Sequence, residues 1–213
     1  MKIKFDHIQA SSYVDGPGQR VVLFVKGCPI QCPGCQSQHL WSAVGGNFAS
    51  PEVIAESMIL LADGAGHQNF TISGGEPMWQ AETISQLVKI LRERKPESHI
   101  IVYSGYTWEE LLIAKNMEWL DILRVFENID ILVEGRFVKA LDDDNIIYRG
   151  SRNQRPIDVQ AALGDYFRPV VLDWSKPVLS IGNDGNVFLP KGLAPVFEVI
   201  GKVENNRMCG QSK

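Results

Sequence analysis

The sequence predicts an α/β fold in which helices cover a parallel sheet. Short continuous apolar runs, typical of buried strands, alternate with segments whose apolar residues recur on one helical face. Cysteines, glycines and acidic residues fall at or just beyond the carboxyl ends of these runs. Because ligands bind at that edge in parallel α/β folds, the pattern predicts one site assembled from several distant segments.

The strands are predicted from the apolar runs. Four cover residues 21–25, 69–73, 99–104 and 130–134, and a fifth is predicted at 146–148. The first run leads directly into a loop rich in cysteine, and the second ends in a pair of glycines. Strands interleaved with helices in this way favour parallel pairing within one sheet.

The helices between these strands are predicted from their start signals and their periodicity. Ser50-Pro51-Glu52 combines an N-cap, a proline at the first helical position and an acid in the first turn. The next helix has its apolar residues on one face between residues 84 and 91, and basic residues follow them. Thr107-Trp108-Glu109-Glu110 forms a capping box that opens the third helix.

The alternation of strand and helix stops near residue 160. Beyond it, apolar runs at 178–181 and 186–189 flank Gly182-Asn183-Asp184-Gly185, and an Asp-Gly pair between such runs predicts a β-hairpin. We therefore expect a main domain over residues 1–160 and an extension over residues 161–213. The extension would hold the hairpin and a polar, flexible tail.

Composition is that of a soluble globular protein. The 213 residues are 45% hydrophobic and 22% charged, which allows a substantial core. A net charge of -4 without a basic run argues against a nucleic-acid partner. No signal peptide or membrane-spanning run is predicted, so we expect no membrane partner and a cytoplasmic location. That compartment is reducing and would keep cysteines as thiols.

Three of the four cysteines lie within eight residues, with the spacing C-x3-C-x2-C at Cys28, Cys32 and Cys35. A closed iron–sulfur site uses four thiolates, so three would leave one iron open to bind a substrate. Zinc is an alternative, because the same cysteines with His39 would make a Cys3His site. A disulfide framework is disfavoured by the small number and close packing of the cysteines.

The cysteine loop and the segment Gly74-Gly75-Glu76-Pro77 together resemble the motifs of the radical S-adenosylmethionine (SAM) enzymes. A Gly-Gly pair alone commonly marks only a tight turn. The resemblance implies a [4Fe-4S] cluster on the three cysteines, whose open iron chelates SAM. It also implies that Gly74, Gly75 and Glu76 orient the amino group of SAM.

Further segments resemble the activases of glycyl radical enzymes. Residues 15–20 read Asp-Gly-Pro-Gly-Gln-Arg, as in these activases, and residues 102–111, 130–137 and 149–159 resemble the activating proteins of anaerobic (class III) ribonucleotide reductases. Several motifs in a fixed order are more specific than any one of them. The fold that the resemblance implies is an incomplete (β/α)6 radical-SAM barrel, and the hairpin signal adds a small C-terminal β-hairpin extension to it.

The resemblance also implies roles for single residues. It places Ser104 near the SAM carboxylate, and Glu134 and Arg136 near the ribose or carboxylate. It places Asp15 and Arg20 at the mouth through which a peptide substrate enters. Structural alternatives exist, since Glu134 and Arg136 would also fit a surface ion pair and residues 15–20 a simple turn.

The implied function is that of a radical SAM oxidoreductase. Such an enzyme takes an electron from flavodoxin or ferredoxin, cleaves SAM reductively and generates a glycyl radical on a partner enzyme, here an anaerobic ribonucleoside-triphosphate reductase. One alternative is a radical SAM enzyme for a small molecule, similar to the 7-carboxy-7-deazaguanine synthases. A second, non-enzymatic alternative is a zinc-stabilised α/β binding module.

Overall fold

A computed structural model of the chain describes residues 1–113, 119–143 and 146–174, and the backbone of two short strands at 180–181 and 187–188. The chain divides into two units, Met1–Trp174 and Ser175–Lys213. The domain boundary expected near residue 160 stays a prediction.

The first unit is built on one mixed sheet, which has eight strands within its described residues. In chain order they are β1 (Ile3–Ser12), β2 (Arg20–Val25), β3 (Asn47–Ala49), β4 (Asn69–Gly74), β5 (His99–Ser104), β6 (Ile131–Glu134), β7 (Arg155–Asp158) and β8 (Val170–Val171). Their order across the sheet is β3-β1-β2-β4-β5-β6-β7-β8. The central strands β2, β4, β5 and β6 pair in parallel, and antiparallel strands flank them on both sides.

The parallel strands confirm the predicted α/β arrangement, whereas the strand predicted at 146–148 is wrong. Ile146 makes only an isolated bridge, and β7 is the strand that pairs with β6. Ile147 and Tyr148 instead pack beside Trp174 against the sheet, and the Ile147 N–H donates to the Trp174 carbonyl at 3.2 Å. The apolar run therefore reflects packing onto a sheet face, not membership of the sheet.

Five helices lie in the described part of the first unit. They are α1 (Pro51–Ala65), α2 (Ala81–Arg94), α3 (Trp108–Leu112), α4 (Trp119–Phe126) and α5 (Val159–Gly164). The predicted start signals of α1 and α3 are confirmed. Ser50 caps α1 by accepting from the Val53 N–H, and Thr107 and Glu110 form the capping box of α3. No helix in the described ranges is long and apolar enough to cross a membrane.

The two faces of the sheet are covered differently. Residues of all five helices pack on one face, in a core that includes Leu23, Ile72 and Val102 from the central strands. The opposite face holds a smaller cluster that includes Ile101, Val133 and Trp174. The helices thus pack to one side, and the strand ends carry the remaining features of interest.

The second unit contains a short hairpin. Its strands β9 (Ser180–Ile181) and β10 (Val187–Phe188) pair antiparallel, with Ile181 opposite Val187. This pairing confirms the predicted hairpin strands. The predicted turn at 182–185 lies outside the described residues.

Candidate functional site

The three clustered cysteines lie on the loop that follows β2, and all three are free thiols. Backbone hydrogen bonds tie the loop back on itself: the Gly27 N–H donates to the Leu40 carbonyl at 2.8 Å, and the Cys28 N–H to the Trp41 carbonyl at 3.0 Å. Gln31 has a positive φ of 50°, which turns the chain sharply between the first two cysteines. The two ends of the loop are therefore hydrogen-bonded together, and its thiols lie at the carboxyl end of β2.

Burial and local charges act on the pKa of the thiols in opposite directions. Burial raises the pKa of the Cys28 and Cys32 thiols above the usual value. The backbone N–H of Gln31 lowers the pKa of Cys28, whereas the backbone N–H of Phe137 and the charge of Arg136 lower that of Cys32. A bound metal centre would favour the thiolate form of both.

The cysteines line one cavity with the ends of the central strands. Ser73 and Gly74 come from the end of β4, Ser104 from the end of β5 and Gly135 from just beyond β6. The structure thus brings the cysteine loop, the Gly74–Glu76 segment and Ser104 together, although the sequence separates them by tens of residues. They meet at the edge that parallel α/β topology favours for ligands.

The glycine pair allows two stretches of backbone to touch. The Gly75 N–H donates to the Val25 carbonyl at 2.8 Å, and the Glu76 N–H to the Gly27 carbonyl at 2.9 Å. A Cβ atom on Gly75 would stand 2.4 Å from the Gly27 oxygen, and Gly74 has a φ of 102°. Side chains at these positions would therefore push the end of β4 off the cysteine loop.

Gly75→Ala is expected to destabilise the protein by about 1–3 kcal/mol, because the added methyl group meets rigid backbone and cannot be accommodated by a rotamer change. Urea unfolding measures this loss, and iron analysis after anaerobic reconstitution should show reduced binding. Gly64→Ala is the matched control, since a Cβ there meets open space within α1. It should stabilise by about 0.5–1 kcal/mol. Wild-type stability and iron content in Gly75→Ala would contradict the tight contact.

Glu76 is fully buried and joins two strand ends. Its Oε1 accepts from the Met78 N–H and the Ser104 hydroxyl, both at 2.9 Å, and its Oε2 accepts from the Gly105 N–H at 2.7 Å. Ser104 Oγ in turn accepts from the Tyr106 N–H at 3.1 Å. Burial raises the pKa of Glu76 to about 7, although these donors lower it. The carboxyl group therefore positions the turn after β5 beside the end of β4.

Glu134 is not among the described residues that line the cavity, and its expected contact with SAM stays a prediction. Its carboxylate accepts from the Trp108 N–H at 3.0 Å and forms an ion pair with Arg155, and only 1% of the Glu134 side chain is exposed. Arg155 also pairs with Glu109 at 2.7 Å. Both oxygens of Glu134 therefore hold the start of α3 against β7.

Arg136 lies nearer to the site. Its guanidinium pairs with Glu110 at 2.8 Å and stands 6.0 Å from the centre of the Tyr106 ring. The side chain is 44% exposed, so the pair itself contributes little stability. Its charge nevertheless reaches Cys32, whose thiol pKa it lowers against the larger effect of burial. Arg136 is paired with Glu110 and is not among the described residues that line the cavity, so its expected contact with SAM stays a prediction.

Arg20 begins β2 and so lies at the end of the central strands opposite the cysteine loop, and its expected place at the mouth for a peptide substrate stays a prediction. It is fully buried. Its guanidinium donates to Thr71 Oγ1 at 2.7 Å and to the carbonyls of Pro17, Phe70 and His99 at 2.9, 2.6 and 2.7 Å. Burial lowers the pKa of Arg20 to about 10. The residue fastens the segment before β2 to the amino ends of β4 and β5.

Asp15 belongs to the same structural segment. Its carboxylate accepts from the Ser12 hydroxyl at 2.5 Å, and its backbone carbonyl accepts from Thr71 Oγ1 at 2.9 Å. The contact with Thr71 links Asp15 to the network of Arg20. The structure therefore groups the two residues with each other and not with the cysteine loop.

Acidification is expected to destabilise the fold through His99. Its Nδ1 accepts from Arg20 at 3.1 Å, and burial, followed by the charge of Arg20, lowers the pKa of His99. Since the folded pKa is the lower one, this contribution is present above the unfolded value of about 6.5 and is lost as pH falls below it. Urea unfolding across this range should show a weaker acid-induced loss in His99→Asn, whose amide oxygen accepts without titrating.

The control for that measurement is His39→Asn, because His39 is exposed in a short 3-10 turn. It is expected to keep the wild-type pH dependence. Identical pH profiles for the wild type and His99→Asn would contradict the role assigned to His99.

The cavity lining bears on the zinc alternative. Cys28, Cys32 and Cys35 line the cavity, whereas His39, the fourth ligand of the Cys3His alternative, is exposed and is not among the described lining residues. A structural zinc site takes four protein ligands, and a cluster with one open iron takes three. The lining therefore fits a three-cysteine cluster better than Cys3His zinc.

Trp41 is a cavity residue that the sequence reasoning missed. Trp41 lines the cavity with the cysteines, and its Nε1 is buried without a hydrogen-bond partner among the described residues. The available signal was a tryptophan in the otherwise mostly polar stretch after Cys35. Trp41 adds an aromatic residue to the cavity lining.

Comparisons with known proteins agree with this geometry. Residues 14–157 match the family described as 4Fe-4S single cluster domain, so the fold and site define a protein with one such cluster. The anaerobic ribonucleoside-triphosphate reductase-activating protein of Enterobacteria phage T4 is 34% identical over 155 residues, which cover 72% of this chain and 92% of that protein. The chain therefore belongs to the family of anaerobic ribonucleoside-triphosphate reductase-activating proteins.

One further relative and one solved structure were also similar to this chain. The protein of the same name from Escherichia coli K12 is 35% identical over 144 residues, covering 66% of this chain and 89% of that protein. The match to the crystal structure of QueE from Escherichia coli covers 50% of this chain and 54% of the QueE chain, with 18% identity and a TM-score of 0.38. Membership in the family confirms the expected activating enzyme of anaerobic ribonucleotide reductase, with a [4Fe-4S] cluster as cofactor.

Proposed function

We propose that this protein uses a [4Fe-4S] cluster and SAM to generate a glycyl radical on an anaerobic ribonucleoside-triphosphate reductase. The observation that carries the proposal is the convergence of three free cysteines and the Gly74–Glu76 segment on one cavity. Two relatives named anaerobic ribonucleoside-triphosphate reductase-activating protein match this chain over most of their own length, which supports the choice of partner.

Cys28, Cys32 and Cys35 would hold the cluster and leave one iron without a protein ligand. When bound, the cluster and SAM supply one-electron reduction and the abstraction of a hydrogen atom. The protein needs no side-chain general base for this reaction. Its own contribution is to bind, to orient and to exclude water.

The Gly74–Glu76 segment would orient SAM. The backbone carbonyls of the segment are the groups that can accept from an ammonium. The N–H groups of Gly75 and Glu76, which donate to the carbonyls of Val25 and Gly27, hold the segment in place. Ser104, held by Glu76, would stand near the SAM carboxylate. The planar fork of Arg136 would complement the same negative charge.

Apolar and aromatic side chains would keep water from the reacting atoms. Ile30, Trp41, Tyr103 and Phe137 line the cavity beside the cysteines. A dry site protects a reactive radical from side reactions. These residues therefore fit a reaction that must reach only its intended hydrogen donor.

The proposal also includes a barrel fold, an electron donor and a compartment. Helices on a single face of the parallel strands support an incomplete (β/α)6 barrel, carried by residues 1–160 and followed by the extension. The proposed electron donor is flavodoxin or ferredoxin, and the proposed compartment is the cytoplasm. The glycine-bearing loop of the reductase would approach the cavity.

The test is an anaerobic assay with an anaerobic ribonucleoside-triphosphate reductase. The protein is reconstituted with iron and sulfide, reduced with dithionite and given SAM, and 5′-deoxyadenosine and the glycyl-radical EPR signal are both quantified. Both products are expected. 5′-Deoxyadenosine without a glycyl radical would favour the small-molecule enzyme, and neither product from protein with a verified cluster would refute the proposal.

A further inference from the structure

Phe137 lies just beyond the end of β6, and its ring occupies the space between two glycines. A Cβ atom on Gly34 would stand 3.4 Å from Cε1 of the Phe137 ring, and a Cβ atom on Gly150 would stand 2.9 Å from its Cδ2. Gly34 lies between Cys32 and Cys35 in the cysteine loop, whereas Gly150 lies in the loop that leads into β7. The ring therefore bridges two loops that are far apart in the sequence.

The loop before β7 holds the backbone on both sides of Phe137. The side-chain amide of Gln154 donates to the Gly135 carbonyl at 2.9 Å. The hydroxyl of Ser151, a fully buried residue, accepts from the Val138 N–H at 3.1 Å. Because the backbone is anchored on either side of Phe137, the ring is held against the cysteine loop by more than its own contacts.

Within the cavity, Phe137 is a neighbour of Cys32. It lines the cavity together with the three cysteines. Burial raises the pKa of the Cys32 thiol, and a hydrogen bond from the Phe137 N–H opposes that effect. At Cys28 the effect of burial on the pKa is opposed instead by backbone N–H groups of Gln31 and Ile30. Cys28 therefore provides an internal reference within the same loop.

We propose that the ring of Phe137 shields Cys32 and thereby retains the metal centre that the three cysteines hold. The inference rests on the proposed cluster but goes beyond it, because binding and cleavage of SAM do not require this shield. Closely packed side chains leave few voids larger than a water molecule, so a ring between two loops limits access from that side. Loss of iron requires that solvent or a chelator reach the metal centre, and the ring would slow that step.

The first test measures the reactivity of the thiols in metal-free protein. Phe137→Ala removes the ring but keeps the backbone N–H, so a change in rate reports the ring alone. Wild type and variant are treated anaerobically with iodoacetamide, and alkylation of each cysteine is followed by tandem mass spectrometry. Cys32 should react about two- to tenfold faster in the variant, because loss of an aromatic contact shifts a local opening equilibrium by that order. Cys28 should keep its wild-type rate.

Trp79→Ala is the matched control. The Trp79 ring also lies against a glycine of the cysteine loop, with Cζ3 2.8 Å from a Cβ atom on Gly27. Trp79 is half-exposed, however, and is not among the described residues that line the cavity. The control should leave the rate at Cys32 unchanged. An unchanged rate at Cys32 in Phe137→Ala, an equal rise at Cys28, or an equal rise in Trp79→Ala would overturn the inference.

A second test checks the position of the ring through Gly150. The φ of Gly150 lies outside the left-handed region, so Gly150→Ala adds only a methyl group directed at the ring. It should lower the urea concentration at which the metal-free protein unfolds. The loss should disappear when Gly150→Ala is combined with Phe137→Ala, because the methyl group then meets vacated space. An equal loss with and without the ring would overturn the inference.

A third test measures retention of the metal centre itself. Wild type and Phe137→Ala are reconstituted anaerobically with iron and sulfide, and release of iron to a ferrous chelator is followed without SAM. The variant should release iron about two- to tenfold faster, for the same reason as the rise in thiol reactivity. An unchanged release rate from a fully loaded variant would overturn the inference and leave the proposed function intact. A wild type that assembles no cluster would overturn both.

Discussion

Replacing Cys32 by alanine is expected to abolish both cluster binding and SAM cleavage. The variant would offer only two thiolates, and two cysteines leave a cluster without half of its usual four protein ligands. No other described cysteine is placed to substitute, since the three free thiols are all members of the same motif. Iron and sulfide content should fall to the background of unreconstituted protein, and 5′-deoxyadenosine to that of a protein-free control.

The matched control is Cys209→Ala, which removes the fourth cysteine. Cys209 lies outside both the described residues and the C-x3-C-x2-C spacing. The control should therefore bind iron and form 5′-deoxyadenosine as the wild type does. Cluster binding and product formation by Cys32→Ala at wild-type levels would show that the assigned ligand set is incorrect.

Arg20→Met is expected to lower the free energy of unfolding by about 2–5 kcal/mol. The methionine would fill part of the space but would donate nothing to the buried Thr71 hydroxyl and the Phe70 carbonyl. Each buried acceptor left without its donor costs about 1–3 kcal/mol. Urea unfolding of the protein without its cluster measures the loss directly.

Arg124→Met is the control for that experiment. Arg124 also pairs with another side chain, Asp121 at 2.8 Å, but it is 61% exposed, so its removal should cost less than about 1 kcal/mol. The result also distinguishes the two interpretations of Arg20. An Arg20→Met variant with wild-type stability and lost reductase activation would favour the interpretation that Arg20 lies at the mouth for the peptide substrate.

Much of the fold was predictable because burial on both faces leaves a clear pattern. The central strands β2, β5 and β6 each contain a continuous apolar run, and β5 and β6 contribute residues to the clusters on both faces of the sheet. The antiparallel strands β1 and β7 lack such an apolar run. Most of β1 is partly exposed, and β7 consists of Arg155, Pro156, Ile157 and Asp158. Their pairing depends on neighbours that local periodicity does not contain.

The site was predictable where spacing alone brings residues together, and less so where topology decides. The cysteines share one loop, so their spacing is sufficient to group them. Arg20 and Glu134 begin and end strands, and only the assembled sheet shows which acceptors or donors surround them. Thr71, the partner of Arg20, is 51 residues away in the sequence. No motif centred on either residue encodes such a partner.

The contacts of the glycine pair with the cysteine loop also bear on how the holoenzyme matures. Small zinc domains acquire their structure only when the metal arrives. Here the N–H groups of Gly75 and Glu76 donate to the carbonyls of Val25 and Gly27, so backbone hydrogen bonds join the end of β4 to the start of the cysteine loop. These bonds involve no metal ligand. The two cavity walls are therefore joined through the polypeptide itself and not only through the metal centre they would share.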